Sequence, residues 1–192
     1  MPQRSDARAN RERILDVAED VFGQGGKSAS TEDVARLAGV GIATVFRNFP
    51  TKAALLEAVL VRHFDRLRAE AEARLGDQDP GEAFFGFFRH LVADAKTKIA
   101  IAEALLEAGG TDDGEAAEAS QALRRAVGEL LHRAQKAGAV RNDVELPEVY
   151  ALLVGASRAV ARASLDDQVR SRMLTIVFAG LTPPPSGARR TG

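Results

Sequence analysis

The sequence predicts an all-α fold, with a small three-helix head at the N-terminus and a larger helical bundle after it. Three observations predict it. The 192 residues are 45% hydrophobic but only 5% aromatic, and alanine is abundant, a balance that favours helix over sheet. Apolar residues recur at helical spacing along most of the chain. Gly- and Pro-containing stretches punctuate that pattern.

The elements run in order. Met1 to Ala7 is polar and reads as a mobile end, with Arg4, Arg8 and Arg11 on one side if the first helix reaches that far. These arginines fit a solvated tail or an arm on phosphate or the minor groove. The first helix spans Asn10 to Gly23, with Ile14, Leu15, Ala18, Val21 and Phe22 as its apolar stripe, and Gln24-Gly25-Gly26 breaks it. Ser30 is the N-cap of a second helix over Thr31 to Ala38, and Asp33 is placed to complete a capping box. Val34, Leu37 and Ala38 give it an apolar side, and Gly39 ends it because glycine tolerates left-handed backbone. Val40 reads as a buried plug. Gly41 caps a third helix, Ile42 to Asn48, whose apolar contacts are Val45, Phe46 and Phe49.

Phe49-Pro50 stops that helix. Thr51 caps a long fourth one, Lys52 to Leu75, with Leu55, Leu56, Val59, Leu60, His63 and Leu67 facing inward. After the loop Gly76 to Gly81, helices are expected at Glu82–Asp94, Thr97–Ala108, Gly114–Gly138, Pro147–Ser164 and Asp166–Gly180. Gly109 to Asp113 reads as mobile, Asp143 to Pro147 as a cap, and the tail from Thr182 as disordered.

Ser30 to Lys52 is therefore a helix-turn-helix, whose second helix enters the DNA major groove. Many of its residues agree in order with one family. Ile14, Leu15, Ala18 and Phe22 fit its first helix. Ser30, Thr31, Val34, Ala35, Ala38, Gly39 and Val40 fit the first half of its motif. Thr44, Phe46, Phe49, Pro50, Lys52, Leu55 and Leu56 fit the recognition helix and the segment after it. Over about residues 10 to 60 the chain resembles the TetR family of bacterial transcriptional regulators. Two positions depart from the family. Gly41 stands where Ser or Thr is usual, so a hydroxyl cap and phosphate donor is missing. Phe46 stands where Tyr is usual, so a phenolic donor is missing.

The resemblance implies a DNA-binding domain at 1–52, a ligand-binding and dimerisation domain at 53–181, and a tail at 182–192. It implies DNA contacts from Ser30, Thr31, Ile42, Ala43, Thr44, Phe46, Arg47, Asn48 and Lys52. Arg47 suits guanine and Asn48 adenine, and either suits a phosphate; Ile42 and Ala43 suit a thymine methyl. Lys52 lies in a first helical turn, where backbone N–H groups also favour an anion.

The second half is similar to the SbtR-like subgroup, notably at RNDVELPEVYALLVG from Arg141. Small and apolar residues share one side of each of the last two helices: Leu152, Gly155, Ala156, Ala159 and Ala163, then Val169, Met173, Ile176, Val177 and Gly180. They suit an intersubunit four-helix bundle or an ordinary core. Phe64, Phe84, Phe87, Phe88, Leu91, Leu105, Leu131 and Tyr150 are candidate walls of an effector pocket, or plain core. The expected partners are operator DNA, a small-molecule effector and a second copy of the chain.

Net charge is −1, and residues 1–52 hold eight bases against seven acids, so bulk charge does not mark a DNA binder and local placement must. Cysteine is absent, which excludes disulfides and thiol catalysis. No run suits a membrane span and no signal peptide is visible, so a soluble cytoplasmic protein without a membrane partner is expected. Two other functions compete. Glu129 and His132 form a Glu-x-x-His, and His90 with Asp94 is a possible metal pair, but a di-iron bundle needs two such motifs and two further glutamates. No phosphate loop or nucleophile elbow is present, so no enzyme, metal or cofactor is expected. A DNA-binding protein without small-molecule input is the other, and the large second half argues against it.

Overall fold

The computed structural model describes residues 2–25, 28–111, 113–163 and 165–184, with side chains from Ala7 onward. Gly26, Lys27, the side chain of Arg4, Asp112, Ser164 and the tail from residue 185 lie outside the described residues. Eight α-helices occur among the described residues: α1 Pro2–Gly25, α2 Thr31–Ala38, α3 Ile42–Asn48, α4 Lys52–Arg74, α5 Pro80–Glu107, α6 Glu115–Lys136, α7 Leu146–Ala163 and α8 Asp167–Leu181.

Three expectations of helix extent change. α1 begins at Pro2, not Asn10, because nothing in its first turns breaks a helix. The two helices expected at Glu82–Asp94 and Thr97–Ala108 are the single helix α5, since Ala95 and Lys96 are themselves good helix formers. Thr182 is not the start of a tail but the C-cap of α8, its N–H donating to the Phe178 carbonyl at 2.9 Å.

Local chemistry fixes the other ends. Ser30 Oγ accepts from Asp33 N at 3.1 Å and donates to Asp33 Oδ2 at 2.8 Å. The expected box is thus closed through the hydroxyl. Gly39 sits at φ 67°, and Val40 N donates to the Ala35 carbonyl, so α2 ends in a Schellman turn. Thr51 Oγ1 caps α4 by accepting from Ala54 N at 3.0 Å. Asp79 Oδ1 caps α5, accepting from Gly81 N and Glu82 N. Asp143 does not cap α7; it pairs with Arg141, and Glu148 accepts from Glu145 N instead.

By proximity the described chain forms two compact units, one from 1–67 with 96–122 and one from 68–95 with 123–192. In the first, α1 packs on α2 and α2 on α3. Its core is Ile14, Leu15, Ala18 and Phe22 against Val34, Ala35, Ala38, Val45 and Phe49, continued by Leu55, Leu56, Val59 and Leu60. In the second, Phe84, Phe87, Phe88, Leu130, Leu131, Val149 and Leu153 are buried, and α7 meets α8.

Four residues expected inside are not fully so, Val21 among them being half-buried. Leu37 is 56% and Phe46 42% exposed, and Val40 is only half-buried. The buried stripe of α2 is Thr31, Val34, Ala35 and Ala38, spaced three, one and three, and Leu37 falls off it. On α3 only Val45 faces inward, and Phe46 lies about 100° further round the helix.

Candidate nucleic-acid interface

α3 shows one side to the core and the other to solvent. Ile42, Ala43, Phe46 and Arg47 are exposed, and Thr44 and Asn48 are half-buried. Arg47 Nη2 donates to Thr44 Oγ1 at 2.8 Å, and Asn48 Nδ2 donates to the Thr44 carbonyl at 2.8 Å. Both polar side chains therefore lie along the helix. Arg47 keeps further guanidinium N–H groups and Asn48 its amide oxygen for an incoming ligand. Gly41 caps α3 without a side-chain bond.

The remaining sequence candidates are engaged within the fold. The side chain of Thr31 is buried, so it is a core residue rather than a surface donor. Ser30 is committed to the α2 cap, and Glu32 and Asp33 in that first turn oppose a phosphate. Lys52 Nζ donates to the Ala29 carbonyl at 2.9 Å and stands 5.1 Å from the Phe22 ring centroid. It pins the start of α4 to the segment before α2, leaving two ammonium N–H groups. Arg11 joins this structural set, its guanidinium 4.9 Å from the centroid of Phe49.

Sequence reasoning missed how the head is held to α4. Glu19 on α1 receives Arg62 Nη2 at 3.1 Å, Arg66 Nη2 at 3.0 Å and His63 Nδ1 at 3.0 Å. Arg62 also reaches Asp16 at 2.6 Å. An ionised carboxylate only accepts, so His63 Nδ1 carries the proton here. The His63 hydrogen bond lowers the Glu19 pKa to about 2, opposed by burial and aided by the Arg66 charge. The signal was available as Arg62 and Arg66 at i, i+4 on α4. A close approach adds to the hold: a Cβ on Gly23 would lie 2.7 Å from Thr97 Cγ2, so α1 and α5 meet there with no room for a side chain.

The eight candidate pocket residues fall in both units. Phe84, Phe87, Phe88, Leu91 and Leu131 are buried core of the second unit, and Tyr150 lies half-buried under the Arg124 guanidinium at 4.8 Å. Only Phe64 and Leu105 line the pocket in the first unit, of about 200 Å³. Leu60, Ala102, Leu106, Ala116 and Ala117 complete its apolar wall, with Thr111 and Ser120 supplying hydroxyls.

On the last two helices, Leu152 is 41%, Val169 46% and Ile176 74% exposed. Gly155, Ala163 and Gly180 are also exposed, and Ala159, Met173 and Val177 half-buried. Ala156 is the exception: it is buried within its own chain and is unavailable to a partner. Leu152, Ile176, Val177 and Gly180 line one hollow together with Arg141, Asp143 and Glu148, and Val169, Met173, Ile176 and Val177 line another together with Arg172. Glu129 and His132 point into solvent, and His90 pairs with Glu70 at 3.0 Å. Among the described residues no helix is long and apolar enough to cross a membrane.

Residues 14–59 match the model of bacterial regulatory proteins, tetR family, and residues 79–183 match that of the transcriptional regulator SbtR-like C-terminal domain. A crystal structure of a TetR transcription regulatory protein from Mycobacterium vanbaalenii is 37% identical, covers 95% of this chain and 100% of its own, and superposes with a TM-score of 0.77. The TetR transcriptional regulator SCO0520 from Streptomyces coelicolor is 32% identical, with coverage of 90% and 98% and a TM-score of 0.75. An HTH-type transcriptional regulator of Staphylococcus aureus is 36% identical over 78 residues. That match spans 39% of this chain and 40% of the relative, so the curated likeness covers about two fifths of each.

Proposed function

The chain belongs to the TetR family of bacterial transcriptional regulators, and from that premise we propose that it is a cytoplasmic, ligand-responsive repressor. In this reading it binds a pseudo-palindromic operator as a homodimer and leaves it when a small molecule occupies the pocket. α3 enters the major groove. Ile42 and Ala43 meet thymine methyls, Thr44, Arg47 and Asn48 meet bases or phosphates, and the spare N–H groups of Lys52 meet a phosphate. The exposed sides of α7 and α8 pair with their counterparts, setting two α3 helices about 34–36 Å apart.

One observation carries the reading: α4 serves two tasks on two sides. Leu60 and Phe64 line the pocket, while Arg62, His63 and Arg66 hold α1 through Glu19. An occupant that shifts α4 therefore acts on the grip that orients the head. It favours release only so far as it binds the released arrangement more tightly.

The test is gel-shift titration of the purified protein with duplex from the region upstream of its own gene, alongside light scattering for oligomeric state. Sequence-specific retention by a dimer is expected. A monomer at micromolar concentration, or equal affinity for this duplex and random DNA, would overturn the proposal.

A further inference from the structure

The pocket on α4, α5 and α6 also constrains what fills it. Leu60, Ala102, Leu105, Leu106, Ala116 and Ala117 are aliphatic, and Phe64 supplies the one aromatic ring among the described walls. No described lining residue carries a charge. An ion moved into such a wall loses its hydration and gains no counter-charge, so charged molecules are disfavoured. Thr111 and Ser120 each bring a hydroxyl that donates and accepts, which suits a small polar group.

Volume sets the size of the part that the walls hold. An apolar cavity of about 150 Å³ accommodates benzene. At about 200 Å³ the same filling admits one six-membered ring with roughly one or two further heavy atoms. The pocket opens to solvent beside Leu106, which is 57% exposed, so this volume describes the part of a molecule held against the walls.

A separate contact joins two of the helices that carry the pocket. Glu57, one turn before Leu60 on α4, accepts from Glu115 N at 3.0 Å, which ties α4 to the first turn of α6.

We infer that this pocket takes a small, uncharged monocyclic alcohol, aromatic or alicyclic, with its ring against Leu60, Phe64 and Leu105 and its hydroxyl towards Thr111 and Ser120. That such a molecule is the effector rests on the proposed function; that it binds does not.

The full-length protein is titrated with benzyl alcohol, toluene, benzoate and benzylamine, followed by thermal shift and calorimetry. Benzyl alcohol at about ten times its Kd is expected to raise Tm by roughly 3–6 °C. Benzoate and benzylamine should bind at least about 10-fold more weakly. Ser120→Ala should weaken benzyl alcohol roughly 2–10-fold and leave toluene unchanged. Ala117→Leu and, independently, Ala102→Leu fill the space from different helices, and whichever melts like the wild type should abolish binding. Tightest binding by either charged probe would overturn the inference, as would binding that survives a folded filling variant, or no binding by either neutral probe. Retention of operator DNA by protein saturated with benzyl alcohol would instead sink the effector role and leave the pocket chemistry standing.

Discussion

On α3 the exposed apolar side chains, Ile42 and Phe46, alternate with Thr44, Arg47 and Asn48. On α8, Val169, Met173, Ile176 and Val177 succeed one another along a single side. Both surfaces are open in the single chain, yet they suit different neighbours. A mixed surface fits DNA, where methyl groups, base edges and phosphates lie a few ångströms apart. A largely apolar side, flanked by Arg172, fits another protein, because its apolar part gains most from losing water altogether. The two regions also differ in completeness. The head has its caps, its Lys52 pin and its Glu19 cluster made within one chain. The α7 and α8 faces carry Ile176 at 74% exposure, and among the described residues of the single chain nothing covers it.

Charging the stripe should break this contrast most severely. Ile176→Glu places a carboxylate on both sides of the proposed dimer axis. We expect monomers by light scattering and operator affinity lower by roughly 100-fold or more, with the melting of the head unchanged. A dimer that persists would show that α8 is not the apolar interface.

The completeness of the head is tested at Glu19. Its pKa is lowered to about 2 from an ordinary 4.5, so its ionised form stabilises the fold. That contribution is full above about pH 4.5 and is lost as pH falls towards 2. Glu19→Gln should cost on the order of 2–4 kcal/mol at pH 7 and flatten the acid limb of the stability profile, as read by chemical denaturation between about pH 2 and 7. An unchanged acid limb would remove Glu19 as the group that fastens α1 to α4.

Sharper resolution of the α3 surface comes from Arg47→Ala, expected to weaken operator binding by about 1–3 kcal/mol if the guanidinium reads a base. Loss of equal size on random duplex would mark a phosphate contact. The smallest effect belongs to Phe46→Tyr. Phe46 is 42% exposed, so a hydroxyl adds no burial cost, and a new phosphate bond should strengthen binding to all duplexes by about 0.5–1.5 kcal/mol. No gain would mean that the ring edge faces away from the backbone of the DNA.

How far the residues foretold these results depends on the range of the interaction. The α2 and α3 boundaries, the Ser30 and Thr51 caps and the Gly39 turn were legible because each depends on neighbours three or four positions away. The inward stripe of α4 was legible for the same reason, and Leu55, Leu56, Val59, Leu60, His63 and Leu67 are all buried. The cavity in the first unit was legible only at Phe64 and Leu105, because Ala102, Ala116 and Ala117 line it through the space they leave, which spacing does not record.

The sequence by itself determined the all-α class, the helix-turn-helix and which faces are apolar, because helical periodicity and capping are written within one or two turns. Only the tertiary structure decided that Lys52 is a pin, that Thr31 is core, that Glu19 gathers Arg62, His63 and Arg66, and where the empty volume lies. Each of those depends on which distant segment comes to lie opposite, and spacing along a single helix carries no record of what faces it.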